Sequence, residues 1–166
     1  MDELTKILQE NGAYLHHVGM LCMDNDETEK ELEKMLGLGT WERDSSVWTE
    51  ENMVVGPANT IRCSNTKFWG SEVGLELVQP IHGKAEGTHF EEYLAKNGTG
   101  LHHVCYMFKR HEDFLRAHKE MVARGAVDVH HGQLTYESGK LFVDFCYLEI
   151  IKDGLYLELN VVLPEE

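Results

Sequence analysis

Leu15-His16-His17-Val18 and Leu101-His102-His103-Val104 are one tetrapeptide written twice, and each copy is followed, at nearly the same remove, by a Leu-Glu-Leu centred on Glu76 or Glu158. A repeat of this kind governs how everything between its copies is read, because a duplicated unit is built to bury its apolar face against its twin. Each copy offers one imidazole and one carboxylate. Two copies facing each other supply His17, Glu76, His103 and Glu158, a four-ligand set for one metal ion.

Working outward, Tyr14 to Met23 has the apolar and aromatic content of a strand, and Asp24-Asn25-Asp26 stops it. Asp26, with Glu29 three residues on, is expected to cap a helix that carries Leu32, Met35 and Leu36 on one face before Gly37 ends it. Strands are expected over about Thr40 to Trp48, Met53 to Ser64 and Glu72 to Pro80. The second half repeats the order: a strand over Gly100 to Phe108, and a helix over Glu112 to Arg124 with Phe114, Leu115, His118, Met121 and Val122 toward the core. Strands then follow near Ala126 to His131, Lys140 to Leu148 and Gly154 to Leu163. The chain thus reads as α+β, two tandem βαβββ modules at about 14–80 and 100–163. The linker between them, about 81–99, has its own short helix, with Thr88 and Glu91 as a capping box, Phe90, Tyr93 and Leu94 as its apolar face, and Gly98 closing it. Leu4, Ile7 and Leu8 suggest one or two further helical turns at the start. At 166 residues, one folding unit over 1–166 is the expected count.

Strand parity tests the four-ligand idea, because residues two apart on a strand share a face. Leu155, Leu157 and Leu159 take one face, which should pack on helices. Tyr156, Glu158 and Asn160 then take the concave side. By the same rule His103 shares its face with Cys105 and Met107, and His17 with Gly19 and Leu21. A carboxylate flanked by leucines in a central strand is costly to bury unless it meets a cation. One divalent metal answers for both glutamates, with neutral imidazoles as its usual companions. Two imidazoles and two carboxylates suit Zn, Ni, Co, Mn or Fe, among which the sequence does not distinguish. It also leaves open whether His16 or His102 replaces its neighbour as ligand.

The formal net charge of −14, from 15 basic against 29 acidic residues, argues against a nucleic-acid partner and against docking on an acidic membrane. No apolar run near Met1 to Gly12 reads as a signal peptide, and no stretch approaches the roughly 20 apolar residues of a membrane span. Cys22, Cys63, Cys105 and Cys146 stand singly in hydrophobic segments, so buried reduced thiols in a cytoplasmic protein are expected. Arg62 reads as a structural ion pair or as a partner for a substrate carboxylate. Lys109, Arg110, Arg116, Lys119 and Arg124 read as a solvated helix face or as a cluster near a CoA phosphate. His130-His131 is expected to end a strand, and Trp41, Trp48 and Trp69 to be wall or core.

Four segments in order, Leu15-His16-His17-Val18-Gly19, Gly74-Leu75-Glu76-Leu77-Val78-Gln79-Pro80, Gly100-Leu101-His102-His103-Val104 and Leu155-Tyr156-Leu157-Glu158-Leu159, resemble the vicinal oxygen chelate superfamily. That superfamily includes glyoxalase I and methylmalonyl-CoA epimerase. The resemblance implies paired βαβββ modules forming an eight-stranded cup-shaped sheet around a metal site, with ligands on the first and fourth strand of each module. It carries the ligand role to His17, Glu76, His103 and Glu158, and implies a metal that holds two substrate oxygens and stabilises an enolate-like intermediate. Phe90 to Val104 looks most like the epimerase. Glu50-Glu51-Asn52 followed by Met53-Val54-Val55-Gly56-Pro57 departs from it, which puts the epimerase's substrate in doubt. The leading expectation is a metal-dependent isomerase of a small carbonyl or acyl-CoA substrate, with Glu158 as base and Glu76 returning the proton. The alternatives are a glyoxalase-I-type lyase acting on a thiol hemithioacetal and a non-catalytic small-molecule-binding module. A ring-cleaving dioxygenase is less favoured, because such enzymes normally use three protein ligands and here a fourth is present. Folds of this type often pair, so a homodimer is left open.

Overall fold

The computed structural model describes residues 2–10, 13–81, 86–139 and 142–164. In chain order its regular elements are α1 (Glu3–Glu10), β1 (Tyr14–Leu21), α2 (Asn25–Leu36), β2 (Glu42–Trp48), β3 (Met53–Val55), β4 (Asn59–Lys67), β5 (Gly74–Pro80), α3 (His89–Asn97), β6 (Gly100–Phe108), α4 (His111–Ala123), β7 (Val127–Tyr136), β8 (Phe142–Ile151) and β9 (Leu155–Val162). The α+β alternation expected from the repeat is present. No helix among the described residues is long and apolar enough to cross a membrane.

β1 runs parallel to β5, β6 runs parallel to β9, and β1 meets β6 antiparallel at the centre. The first strand of each half therefore lies beside the last strand of the same half. The order along the sheet is β2-β4-β5-β1-β6-β9-β8-β7-β3. The sheet also closes: Ser46 faces Tyr136 and Val47 faces Thr135, which joins β2 to β7 and curls eight strands into a barrel. β3 hangs on β7 as a ninth strand.

That ninth strand corrects the single strand expected over Met53 to Ser64. Gly56 turns the chain at φ +81°, where a Cβ would strike the His130 ring at 2.4 Å, and Pro57 has no N–H to offer a ladder. Met53–Val55 and Asn59–Lys67 consequently pair with different neighbours. β7 extends to Tyr136, so His130-His131 lies inside a strand and does not end one. The first two residues of the strand expected over Lys140 to Leu148, Lys140 and Leu141, lie outside the described residues.

The cap of α2 also differs from expectation. Asp24, not Asp26, accepts from the Glu27 N–H at 3.0 Å and starts the helix two residues earlier. Asp26 instead pairs with Arg62, at 2.6 and 3.2 Å, so Arg62 takes the structural reading. Gly37 closes α2 as expected.

Three apolar clusters follow from the closed sheet. Inside the barrel, Trp48, Ile61, Cys63, Val78, Phe145 and Tyr147 pack with Phe90 and Tyr93 of α3. The linker helix is thus a plug in one mouth of the barrel, anchored by the Phe90 ring 5.6 Å from that of Trp48. Outside, α4 lays Phe114, Ala117 and Met121 over Cys146, Leu148, Leu157 and Leu159, as the parity of β9 required. α2 covers Leu75 and Leu77 with Leu32, beside Leu38 and Trp41. The buried stripe of α4 is narrower than expected: Leu115 and Val122 fall beyond it and are exposed, and His118 faces Asp128 instead of the core. Trp48 and Trp41 are core, whereas Trp69 is exposed at 60%.

The Phe90 side chain has no exposed surface. Phe90→Ala is expected to destabilise the protein by about 3–5 kcal/mol, measured by urea denaturation, whereas Leu115→Ala should change stability by less than about 1 kcal/mol.

Candidate metal centre

The register of four adjacent strands brings the repeat residues together. Across β1 and β6, His17 faces Cys105 and Gly19 faces His103. β5 and β9 flank this pair and carry Glu76 and Glu158 onto the same inner face. His17 Nε2 lies 3.2 Å from His103 Nε2, 2.9 Å from Glu158 Oε2 and 3.3 Å from Glu76 Oε2. His103 Nε2 lies 3.5 Å from Glu76 Oε2 and 3.4 Å from Glu158 Oε2. All four residues are buried.

These spacings suit a shared cation. Four donors at about 2.1 Å from one ion stand about 3.4 Å apart in a tetrahedron, and closer when further positions are taken. Glu158 Oε2 is moreover a buried oxygen with no properly directed hydrogen bond, which is costly for a carboxylate unless a cation answers it. The donor set is borderline to hard, with no thiolate in it. On these observations the four residues fit a divalent transition metal.

Space for the His103 ring is made by Gly19. A Cβ at that position would come within 1.9 Å of His103 Cε1, so any side chain on β1 there displaces the imidazole. The repeat is asymmetric at this point, since Cys105 occupies the corresponding place beside His17 and accepts from Asn160 Nδ2 at 3.4 Å.

His16 and His102 sit behind their neighbours. His16 Nδ1 is 2.9 Å from His17 Nδ1, and His102 Nδ1 is 3.0 Å from His103 Nδ1. With the proton of each inner ring on Nδ1 and donated outward, its Nε2 lone pair is left facing the cluster. Burial, reinforced by the adjacent inner histidine, holds both outer imidazoles below the usual histidine range, so they remain neutral acceptors. The geometry thus separates the two histidines of each pair into an inner and an outer position.

The groups of the cluster shift one another's ionisation. Burial opposes ionisation of Glu76, yet His17 and His103 hold its carboxyl far below the usual range. Glu158 is likewise lowered: burial raises it, the adjacent His17 and His103 lower it, and the Glu76 charge acts in the opposite sense. Burial disfavours the charged form of His17, but Cys105 and Glu76 beside it leave its pKa well above the ordinary value. Tyr147, directly across from Glu158 on β8, is buried, and burial together with the nearby Glu158 and Glu76 charges holds its phenol well above the usual range. Tyr147 was not among the residues expected at the site. Alternation along β8 places it inward, but which carboxylate it meets depends on a register that the sequence does not reveal.

The centre forms the floor of a cavity of about 730 Å³ that opens at the mouth opposite α3. Trp48, Ile61, Leu134 and Val143 give it apolar walls. Its cations are committed: Arg43 to the buried carboxylate of Glu29, and Lys67 to Glu72 at 2.5 Å. Glu42 and Asp44 line the same rim. Lys109, Arg110, Arg116, Lys119 and Arg124 do not line it. Arg110 pairs with Glu112 and Asp113, Arg116 with Asp113, and Arg124 with Glu120 and Asp2. His130 points into the barrel, donates from Nε2 to the Pro57 carbonyl at 2.9 Å and accepts from His89 Nδ1 at 3.1 Å.

Comparison with known proteins gives the same architecture. A family model described as the glyoxalase/bleomycin resistance protein/dioxygenase superfamily matches residues 16–143. No curated protein sequence is significantly similar to the chain. Among solved structures, methylmalonyl-CoA epimerase from Mycobacterium tuberculosis superposes with a TM-score of 0.59 at 18% identity, over 90% of this chain and 88% of that one. A hypothetical protein from Bacillus halodurans gives 0.61 at 16% identity, over 93% and 98%. A variant of Streptomyces coelicolor methylmalonyl-CoA epimerase in complex with 2-nitronate-propionyl-CoA gives 0.56 at 20% identity, over 89% and 92%. At these identities the likeness is one of fold.

Two outcomes follow from the centre. His16→Ala and His102→Ala are each expected to weaken metal affinity about 10–100-fold, and Gly19→Ala more than either, by competition with a chromogenic chelator. Because the pKa of His17 is raised, proton and metal compete for its Nε2, so affinity should climb with pH through neutrality. In chelated protein the His17 contribution to stability is complete below about pH 6.5 and fades as pH rises through the raised value. Denaturation curves of chelated and metal-loaded protein should therefore diverge toward alkaline pH.

Proposed function

The chain belongs to the glyoxalase/bleomycin resistance protein/dioxygenase superfamily, and from that premise we propose that it is a metal-dependent isomerase that removes and returns a proton beside a carbonyl. The observation carrying this reading is the convergence of four donor atoms, two of them carboxylate oxygens, at the floor of the barrel cavity. His17, Glu76, His103 and Glu158 would hold the ion, which when bound supplies a Lewis acid for substrate oxygens and counters the charge that develops on them.

The chain's own groups supply the rest. Glu158 is the base: its Oε2 has no well-directed hydrogen bond among the described residues, and Tyr147 lies directly across from it on the adjacent strand. Glu76, reached by the repeat from the opposite side of the His17–His103 pair, returns the proton to the other face. The α3 plug closes the far mouth with Phe90 and Tyr93, which keeps water from the back of the site and leaves one route of entry. Cavity volume limits the reacting part of the substrate to a small molecule or the acyl end of a larger one.

The rim favours a second reading in parallel. Arg43 and Lys67 are already paired, and Glu42 and Asp44 stand beside them, so an anionic CoA tail meets an acidic mouth. A compact thiol hemithioacetal, handled by a glyoxalase-I-type lyase, avoids that conflict while using the same centre.

Elemental analysis of the purified protein, followed by deuterium exchange from solvent into a panel of acyl-CoA thioesters and hemithioacetals, tests the reading. A divalent ion at the cavity centre, lost on His17→Gln, and exchange into one class are expected, with Glu158→Gln slowing exchange at least about 100-fold. Metal-loaded Glu158→Gln that exchanges as fast as the parent sinks the base assignment. Loaded parent protein that exchanges none of the panel yet binds a small ligand tightly points to a binding module instead.

A further inference from the structure

We propose that His118, Asp128 and His131 form a second divalent-metal site, on the outside of the barrel between α4 and β7. It lies apart from the cavity and does not depend on the reading of the cavity as catalytic.

The placement is unusual for a strand. Asp128 and His131 are three apart and by plain alternation would face opposite ways. A bulge between Asp128 and His130 resets the alternation: Asp128 lies across from Leu148 and His131 across from Cys146, both outer-face residues under α4, while His130 lies across from the inward Tyr147. Both side chains therefore meet His118, which α4 presents beyond its buried stripe.

Three potential donors converge here, two of them joined by a direct hydrogen bond that an ion would replace. His118 Nε2 is 2.6 Å from Asp128 Oδ2, and His131 Nδ1 is 3.3 Å from the same oxygen. One donor atom from each of the three residues lies within 4.8 Å of the others. The second oxygen, Asp128 Oδ1, is buried with no hydrogen-bond partner. A simple ion-pair network leaves that oxygen unanswered, whereas a cation between the three groups answers it.

A further carboxylate stands behind the triad, as supporting groups stand behind metal-bound histidines. Asp144 Oδ1 is 4.0 Å from His131 Nε2, close enough for charge attraction though not for a hydrogen bond. The other Asp144 oxygen is held by His111 Nε2 at 2.6 Å. The three ligand side chains are 15–19% exposed, enough for an ion to enter and for water to complete its shell. Two imidazoles and one carboxylate select zinc, cobalt or nickel over magnesium or calcium. Such an ion would clamp α4 to the barrel wall.

Zinc titration of chelator-stripped full-length protein, read by elemental analysis after removal of free metal, tests this. The parent is expected to retain two equivalents, Asp128→Asn and His118→Gln one each, and a cavity variant carrying His17→Gln with Glu76→Gln one. In the cavity variant, cobalt should bind at the remaining site with a visible absorption spectrum that His118→Gln abolishes. The proposal is overturned if the parent retains a single equivalent, or if the second equivalent survives both outer substitutions. Loss of the second equivalent only in a variant whose circular dichroism shows it unfolded is discounted, and the other outer variant then decides. Absence of exchange chemistry in the cavity would leave these counts unchanged, so failure of the proposed function and failure of this site are distinguishable.

Discussion

Two carboxylates buried inside an apolar barrel are the constraint on which the rest of the structure depends. Among the described residues, neither Glu76 nor Glu158 has an arginine or lysine beside it; each meets the same two imidazoles. In a low-dielectric interior such an arrangement survives only if positive charge arrives, as protons on histidine or as an ion. The surrounding architecture serves that need. Gly19 opens room for one ring, His16 and His102 orient both rings, and the parallel pairing of β1 with β5 and β6 with β9 delivers one glutamate from each side.

The repeat sets this centre, and departures from the repeat give it direction. Cys105 stands where the symmetry would put a counterpart of Gly19, and Tyr147 stands beside Glu158 where Asn65 stands beside Glu76. The two glutamates are therefore chemically unlike despite their matched positions. The barrel is also blocked at one mouth, because the linker helix has a single copy and lodges Phe90 and Tyr93 in it. A symmetric scaffold thus acquires a floor, a plug and one entrance.

Much of this could be read before any coordinates, and the reasons are local. Residues two apart on a strand share a face, so the inward set around His17, His103 and Glu158 and the outward leucines of β9 follow from spacing alone. Helix ends marked by Gly37 and Gly98 fall where their chemistry puts them. What escaped depends on pairing between distant strands. Closure through β2 and β7, the partner of Tyr147 and the split at Gly56-Pro57 are matters of register, which no single segment encodes. The bulge in β7 hid the third cluster of histidines for the same reason: periodicity assigns His131 to a face only while the period is unbroken.

The join between β2 and β7 has a mechanical corollary. Two ladder pairs, Ser46 with Tyr136 and Val47 with Thr135, join it, extended by Glu137 N–H donating to the Ser45 carbonyl and by Ser138 donating to the Asp44 carboxylate, whereas β2 lies against β4 along its whole length from Glu42 to Trp48. A cylinder fastened so briefly along one line has its weakest seam there, and the seam runs beside the cavity entrance, where Asp44, Ser46 and Tyr136 line the wall. Unzipping it would turn the closed vessel into an open trough without disturbing β1, β5, β6 or β9. Opening there would widen the chamber while leaving the strands of its floor paired.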